Sequence, residues 1–213
     1  MFLARNLIMP EYYILNKPRG CITARRDPRH KTVMDLLPEE KRDVLFPVGR
    51  LDEDTEGLLI LTDDGALCAS LLHPDNHASK SYFFYALGEL SDDLREKIEK
   101  GIKLYPTRDV ISKPARVEIL GKKTIYEIKD LLSGKDIKIA NRRPETPVIF
   151  GNVTVTEGKK HQVKRMLMYA GCRIVYLKRI SMGGLVLDGS LSPGEYRPLT
   201  PSELELLVGT KKS

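Results

Sequence analysis

With 213 residues, 41% hydrophobic and 30% charged, the chain is long enough to bury its own core, so no disulfide or metal support is required. Its cysteines, Cys21, Cys68 and Cys172, form no C-x-x-C pair, which excludes a disulfide framework and suits a reduced, cytoplasmic protein. Pro10 and Glu11 cut short the N-terminal apolar patch, no later run reaches membrane-spanning length, and the net charge of +6 favours an anionic partner.

In chain order, "YYILNKPRG" reads as a strand entering a Pro/Gly turn, and "KTVMDLLP" as a short helix stopped by Pro38. "LFPVGRLD" and "GLLILTD" are strand candidates on either side of an acidic run; the first is expected to continue to Asp52, with Leu51 turned to the core and Arg50 beside Asp52. "ALCASLLH" is a helix followed by Pro74. "KSYFFYALG" alternates as a strand, with Lys80, Tyr82 and Phe84 on one face and Ser81, Phe83 and Tyr85 on the other. Ser91 caps the helix "DDLREKIEK", acidic in its first turn, basic in its last and ended by Gly101.

Beyond "ARVEIL" the pattern blurs. Residues 121–147 carry weak strand signals broken by Gly, Asn-Arg-Arg and two prolines, and read as a peripheral insertion. "VIFGNVTVTEG" is a β-branched strand, "KKHQVKRMLMYAG" a helix with Val163, Met166, Leu167 and Ala170 on its apolar stripe, and "CRIVYLKRI" a further strand. Thr200-Pro201-Ser202-Glu203 is a capping box with Pro at N1, opening a C-terminal helix. Strict strand–helix–strand alternation is missing, so the class is α+β with a mostly antiparallel or mixed sheet. The expected layout is an extension over 1–10, one domain over 11–209 and a tail over 210–213.

Positive charge is clustered. Residues 152–179 hold seven basic residues against Glu157 alone, and Lys17, Arg19, Arg25, Arg26, Arg29 and Lys31 form a second group, a distribution that suits a nucleic-acid footprint. His73 and His77 are four apart, but Pro74 and the lack of a wider Cys/His cluster argue for a polar loop and against a metal site. Phosphate-loop and dinucleotide fingerprints are absent, and no cysteine sits in a nucleophile motif. The chemistry therefore rests on carboxylates. Asp52 is the first candidate, because His161, Lys164, Arg165 and Met168 share one face of the later helix and call for an anionic counterpart, whether phosphate, carboxylate or both. Against Lys164, an ionised Asp52 is favoured, as a nucleophilic carboxylate requires. Tyr82, beside Lys80 on one strand face, would offer an extruded base a flat ring, although core packing explains "YFFY" equally well.

Five motifs, "LNKPRG" (15–20), "GRLDEDTEGLLILTDDG" (49–65), "KSY" (80–82), "EGKKHQVKRM" (157–166) and "LKR" with "GEYRPLT" (177–200), occur in the order found in the RsuA branch of bacterial ribosomal-RNA pseudouridine synthases, which the chain resembles over residues 11–208. The resemblance implies that family's fold: a long mixed sheet in two halves, flanking helices and a central catalytic cleft. It also implies that Asp52 is the catalytic aspartate, Tyr82 the residue stacking on the target uracil, Lys164 the basic partner of Asp52, and Arg50 a residue holding the flipped nucleotide. Many relatives have Arg where Lys164 stands; Lys keeps the charge without bidentate geometry. Lys17, Arg165 and Arg179 are assigned to the RNA backbone, with structural ion pairs as the competing reading, and Lys80, His161, Gln162 and Leu177 complete the expected substrate contacts.

Such an enzyme breaks the N1–C1′ bond of an unstacked uridine and rejoins the base through C5, with no metal or cofactor. Attack at C1′, addition at C6 and departure of uracil to a glycal all remain open, and Tyr82 could serve as base or base-positioning group when the C5 proton leaves. Only 16 residues precede Lys17, so the chain resembles the shorter members without an S4-type RNA-binding domain; the basic segment 121–147 is then expected to add RNA affinity. The expected partner is ribosomal RNA, small-subunit over large-subunit, bound by a monomer. Two other readings compete: a non-catalytic ribosome-assembly factor on the same fold, and a glycosidase pairing Asp52 with Asp54 or Glu56, which the absence of Trp and the basic flanks disfavour.

Overall fold

The structure is a computed structural model that describes residues 9–73 and 78–209; His77, half of the histidine pair, and Pro74 lie outside the described residues, as do residues 1–8 and the tail 210–213. The strands among the described residues are β1 (Tyr12–Lys17), β2 (Phe46–Val48), β3 (Glu56–Thr62), β4 (Lys80–Leu87), β5 (Lys103–Tyr105), β6 (Arg108–Ile111), β7 (Ala115–Thr124), β8 (Pro147–Val155), β9 (Arg173–Met182), β10 (Leu185–Val186) and β11 (Tyr196–Pro198). The helices among the described residues are α1 (Glu39–Arg42), α2 (Gly65–Leu72), α3 (Asp92–Lys100), α4 (Gly134–Arg142), α5 (Gln162–Tyr169) and α6 (Pro201–Val208). Nine strands form one sheet in the order β11-β1-β3-β9-β4-β8-β7, with β2 added to β3 and β10 to β9, while β5 and β6 form a separate hairpin. Among the described strands only the pairing of β3 with β9 is parallel, so the mixed, mostly antiparallel α+β sheet expected from the sequence is present.

That parallel contact divides the sheet. On one side, Leu59 and Leu61 of β3 enter a core with Tyr13, Leu15, Met34 and Leu51, whereas Leu58 and Ile60 enter a second core with Ile14, Leu67, Leu71 and Leu207 on the opposite face. Burial on both faces is why "GLLIL" is continuously apolar. On the other side, Phe84 and Ala86 of β4 pack with α3 and α5 through Ile98, Val163, Met166 and Leu167, while Tyr85 faces Val148, Val175 and Tyr176. The two halves meet through Glu56 opposite Lys178 and Gly57 opposite Arg179. Gly57 has φ +103°, and a Cβ there would lie 2.2 Å from the Arg179 carbonyl oxygen, so the seam closes only on glycine.

Three expectations are corrected. Residues 121–147 are not peripheral: Gly121–Thr124 completes the ladder of β7 with β8, a single helical turn and α4 follow, and Ile125, Ile128, Leu132 and Ala140 are buried against Val148, Val175 and Tyr176. The strand expected to reach Asp52 stops at Val48, because Gly49 adopts φ +72° and turns the chain out of the ladder. The helix expected from Lys159 begins at Gln162, since His161 is left-handed at φ +55° and stands at its N-cap.

Candidate active site

Asp52 lies on the loop between β2 and β3, at the seam of the sheet. Thr23 Oγ1 donates to the Leu51 carbonyl at 2.8 Å and accepts from the Leu51 amide at 3.1 Å, which fixes the backbone immediately before the aspartate. The Thr55 amide closes the turn on the Asp52 carbonyl at 3.1 Å. Beneath it, Lys17 Nζ donates to the carbonyls of Thr55 (2.9 Å), Pro18 (3.0 Å) and Glu53 (3.3 Å). Lys17 is fully buried and all three of its N–H bonds are spent, so it has no donor left for an RNA phosphate. Its expected backbone contact is thereby replaced by a structural one: it ties the acidic turn to β1. Burial lowers its pKa, an effect that Cys21, Asp54, Asp52 and Glu56 offset in part.

The opposing wall is α5 and the loop leading to it. Lys164 Nζ is 3.0 Å from Asp52 Oδ2 and 2.5 Å from Asp54 Oδ1, and His161 Nε2 is 3.5 Å from Asp52 Oδ1. His161, Lys164, Arg165 and Met168 do share a side, bordering a single open cavity, although His161 precedes the helix. Gln162, 4% exposed, is a brace: its Oε1 accepts from the Lys159 amide at 3.0 Å and its Nε2 donates to Glu157 Oε1 at 2.7 Å. With one internal bond at each end of its amide, it shapes the loop that carries Lys159 and His161, and it also lines the cavity of Asp52.

Tyr82 arrives on β4, where the register against β9 shifts after Ser81 and sets Tyr82 opposite Arg179. Asp52, Tyr82, Lys164, Leu177 and Arg50 line one cavity of about 80 Å³, so the expected catalytic residues come together although 112 positions separate Asp52 from Lys164. Arg50 is exposed and borders the two adjoining cavities as well. Arg165 lies with its guanidinium carbon 4.1 Å from the Tyr105 ring centroid, stacked on the β5–β6 hairpin. Arg179 is only 2% exposed and its Nε donates to the Leu58 carbonyl at 2.7 Å, which restricts any contact with RNA to the tip of its guanidinium. Lys80, 9% exposed, donates to the Ala78 carbonyl at 2.8 Å; burial, helped by Arg179, lowers its pKa to about 8.

Asp54 and Glu56, weighed in the sequence as glycosidase partners of Asp52, each take a different partner in the structure. Burial acts to raise the Asp54 pKa, but the hydrogen bond and charge of Lys164 outweigh it and hold the carboxyl below its usual value. Glu56 accepts from Tyr176 Oη at 2.9 Å and lies 3.4 Å from Arg19 Nε, so it links the two halves at the seam. A basic group facing a run of acids signals a pairing; which acid it takes depends on a fold that joins residues 110 positions apart.

A family model for RNA pseudouridylate synthase matches residues 11–169. The chain is 44% identical over 197 residues to the Bacillus subtilis (strain 168) protein named uncharacterized RNA pseudouridine synthase YtzG, covering 92% of this chain and 72% of that one. It is 36% identical over 199 residues to ribosomal small subunit pseudouridine synthase A of Escherichia coli (strain K12), covering 93% and 74%. A solved structure titled as a pseudouridylate synthase superposes with a TM-score of 0.75 at 34% identity, over 93% of this chain and 74% of the other.

Proposed function

From the premise that the chain belongs to the RNA pseudouridylate synthase family, and so is an isomerase, we propose that it converts a uridine of ribosomal RNA, in the small subunit in preference to the large, to pseudouridine with Asp52 as the catalytic carboxylate. The observation that carries this reading is the Asp52–Lys164 pair, 3.0 Å apart, on the wall of a cavity that Tyr82 and Leu177 also line. The reaction breaks the N1–C1′ bond and forms a C5–C1′ bond; N1 gains a proton and C5 loses one, so the balance needs neither oxidant nor energy donor.

A stacked nucleotide hides C1′ and C6, so the target must leave its helix before Asp52 can act. The Tyr82 ring then offers a surface on which the extruded uracil stacks, worth about 1–3 kcal/mol. Lys164 orients the carboxylate from one side, and Leu177 with Val155 and Val163 gives the cavity an apolar lining that limits water near the reacting carbon. The basic residues around the rim suit a polyanionic substrate. Cytoplasmic ribosome assembly is the setting we assign; among the described residues no helix is long and apolar enough to cross a membrane.

Tritium release from 5-tritiated uridine in ribosomal RNA tests the assignment. The wild-type protein releases tritium from small-subunit RNA, Asp52→Asn binds the RNA but releases none, and Asp54→Asn, which also touches Lys164, keeps turnover within about tenfold. Turnover by Asp52→Asn would sink the catalytic assignment, and an inert wild-type protein would favour a purely RNA-binding role. Mapping pseudouridines in both ribosomal RNAs, with and without the gene, decides the subunit.

A further inference from the structure

Beside the Asp52 cavity, and sharing Arg50 and Tyr82 with it, lies a larger cavity of about 550 Å³. Lys80 and Arg179 both border it, and they are like charges that the fold has buried together. The close approach at Gly57 brings Arg179 under β3, where Leu58 takes its Nε; Nη2 is left buried with no hydrogen-bond partner. Lys80 has one partner, the Ala78 carbonyl. Among the described residues neither forms an ion pair. Glu157, on the same wall, is already taken, with Oε2 2.7 Å from Lys159 Nζ and Oε1 accepting from Gln162 and the Lys113 amide.

A buried donor without a partner and a buried ammonium without a counter-charge are each unfavourable, and among the described residues Lys80 and Arg179 have no counter-charge in this cavity. We propose that the cavity bordered by Lys80 and Arg179 is an anion subsite that receives an RNA phosphodiester adjoining the target uridine. The proposal rests on the function assigned above and adds the part of the substrate that lies outside the uracil cavity. Tyr82 forms part of both cavities, so a base stacked on it places its sugar-phosphate chain toward the second. Phosphate oxygens accept from a guanidinium and an ammonium together, and the apolar wall of Val48, Leu71 and Met182 keeps those bonds from being diluted by water.

Pentauridylate binding, followed by fluorescence anisotropy at several salt concentrations, supplies the test. Lys80→Met is expected to weaken binding by about tenfold, the effect of losing one charge-assisted hydrogen bond, and to lower the salt slope by about 0.7, the share of one phosphate on a single strand. The same variant, freed of an uncompensated buried charge, unfolds at the wild-type temperature or above. Equal affinity and slope in the two proteins would overturn the proposal, and a lower unfolding temperature with unchanged affinity would make Lys80 structural. A second arm needs only the wild-type protein: inorganic phosphate competes with pentauridylate more strongly than chloride at equal ionic strength. If the two anions act alike, there is no anion subsite; if phosphate binds but pentauridylate does not compete with it, the ligand is free phosphate and the RNA assignment fails. None of these measurements requires turnover, so they stay readable whatever the tritium assay returns.

Discussion

The two halves of the sheet are held together very differently from the way each is held within itself. In the half containing β4, ladders run from Lys80 opposite Val155 to Leu87 opposite Val148, and from Ala115 opposite Val155 to Thr124 opposite Pro147. In the half containing β3, β1 pairs along its whole length, from Tyr12 opposite Thr62 to Lys17 opposite Gly57. The seam between them has two facing positions, Glu56 with Lys178 and Gly57 with Arg179. Asp52 comes from the half containing β3, and Tyr82, Lys164 and Leu177 come from the half containing β4. A narrow parallel seam thus leaves a cleft open at the point where the strands diverge, and the cleft draws on two rigid frameworks. The seam should therefore be the weakest link of the scaffold and the most sensitive point for activity.

The largest effect is expected at the seam itself. Gly57→Val puts a β-branched side chain at φ +103° with its Cβ 2.2 Å from the Arg179 carbonyl, a backbone atom that cannot swing away. We expect a loss of about 4 kcal/mol or more in urea denaturation, together with loss of turnover, because the two parts of the site move apart. Wild-type stability in this variant would show that the halves do not depend on that contact. Lys17→Met comes next, at about 2–4 kcal/mol, since it strips buried carbonyls of their donor. The salt slope of RNA binding by the folded variant should stay at the wild-type value; a fall of about 0.7 would restore Lys17 to the RNA surface.

Lys164 differs from Lys17 in keeping a quarter of its side chain exposed and in facing two carboxylates across the cleft. Lys164→Met should leave stability within about 1 kcal/mol, as for a solvent-screened pair, yet reduce turnover by about 10²-fold, the usual cost of removing a positioned charge. Lys164→Arg keeps the charge and should recover most of that loss. An equal loss in both variants would mean that side-chain length, not charge, matters at this position.

How much of this could be read from the chain alone follows from the range of each interaction. The caps of α3 and α6, at Ser91 and at Thr200 with Glu203, are local and appear as expected. "GLLIL" is legible as a strand, and its burial on both faces explains why it does not alternate. Segment 121–147 is illegible even though Ile125, Ile128 and Leu132 have helical spacing, because a turn over 125–128 and the break at Leu132–Ser133 before α4 divide that apolar set among short elements. In the site, Asp52 and Lys164 stand out because opposite charges in two separate motifs call for each other. Lys17 did not stand out as structural: the carbonyls of Glu53 and Thr55 that consume its ammonium are 36 and 38 residues away, and backbone acceptors leave no mark in composition.

The smallest effect separates the halves by acid. The half containing β3 is tied to α6 by Arg197, whose guanidinium lies 2.7 Å from Glu203 and 3.0 Å from Asp188. Arg197, with Thr200, lowers the Glu203 pKa to about 2. A carboxyl whose pKa falls on folding contributes stability that is complete above its ordinary value of 4.5 and is lost as pH drops through the folded value near 2. Allowing for the partial exposure of the pair, this amounts to about 1–2 kcal/mol at neutral pH. Glu203→Gln should therefore lower the urea midpoint at pH 7, with a gap to wild type that narrows steadily below pH 4. The loss should centre on the β3 half, since Leu207 of α6 packs in the core with Ile14, Leu58 and Ile60, which β9 and β10 join through Met182 and Leu185. Hydrogen exchange at low pH should accordingly speed up in β1 and β3 before β4 and β8; simultaneous loss of protection would mean that the narrow seam transmits stability as fully as the ladders do.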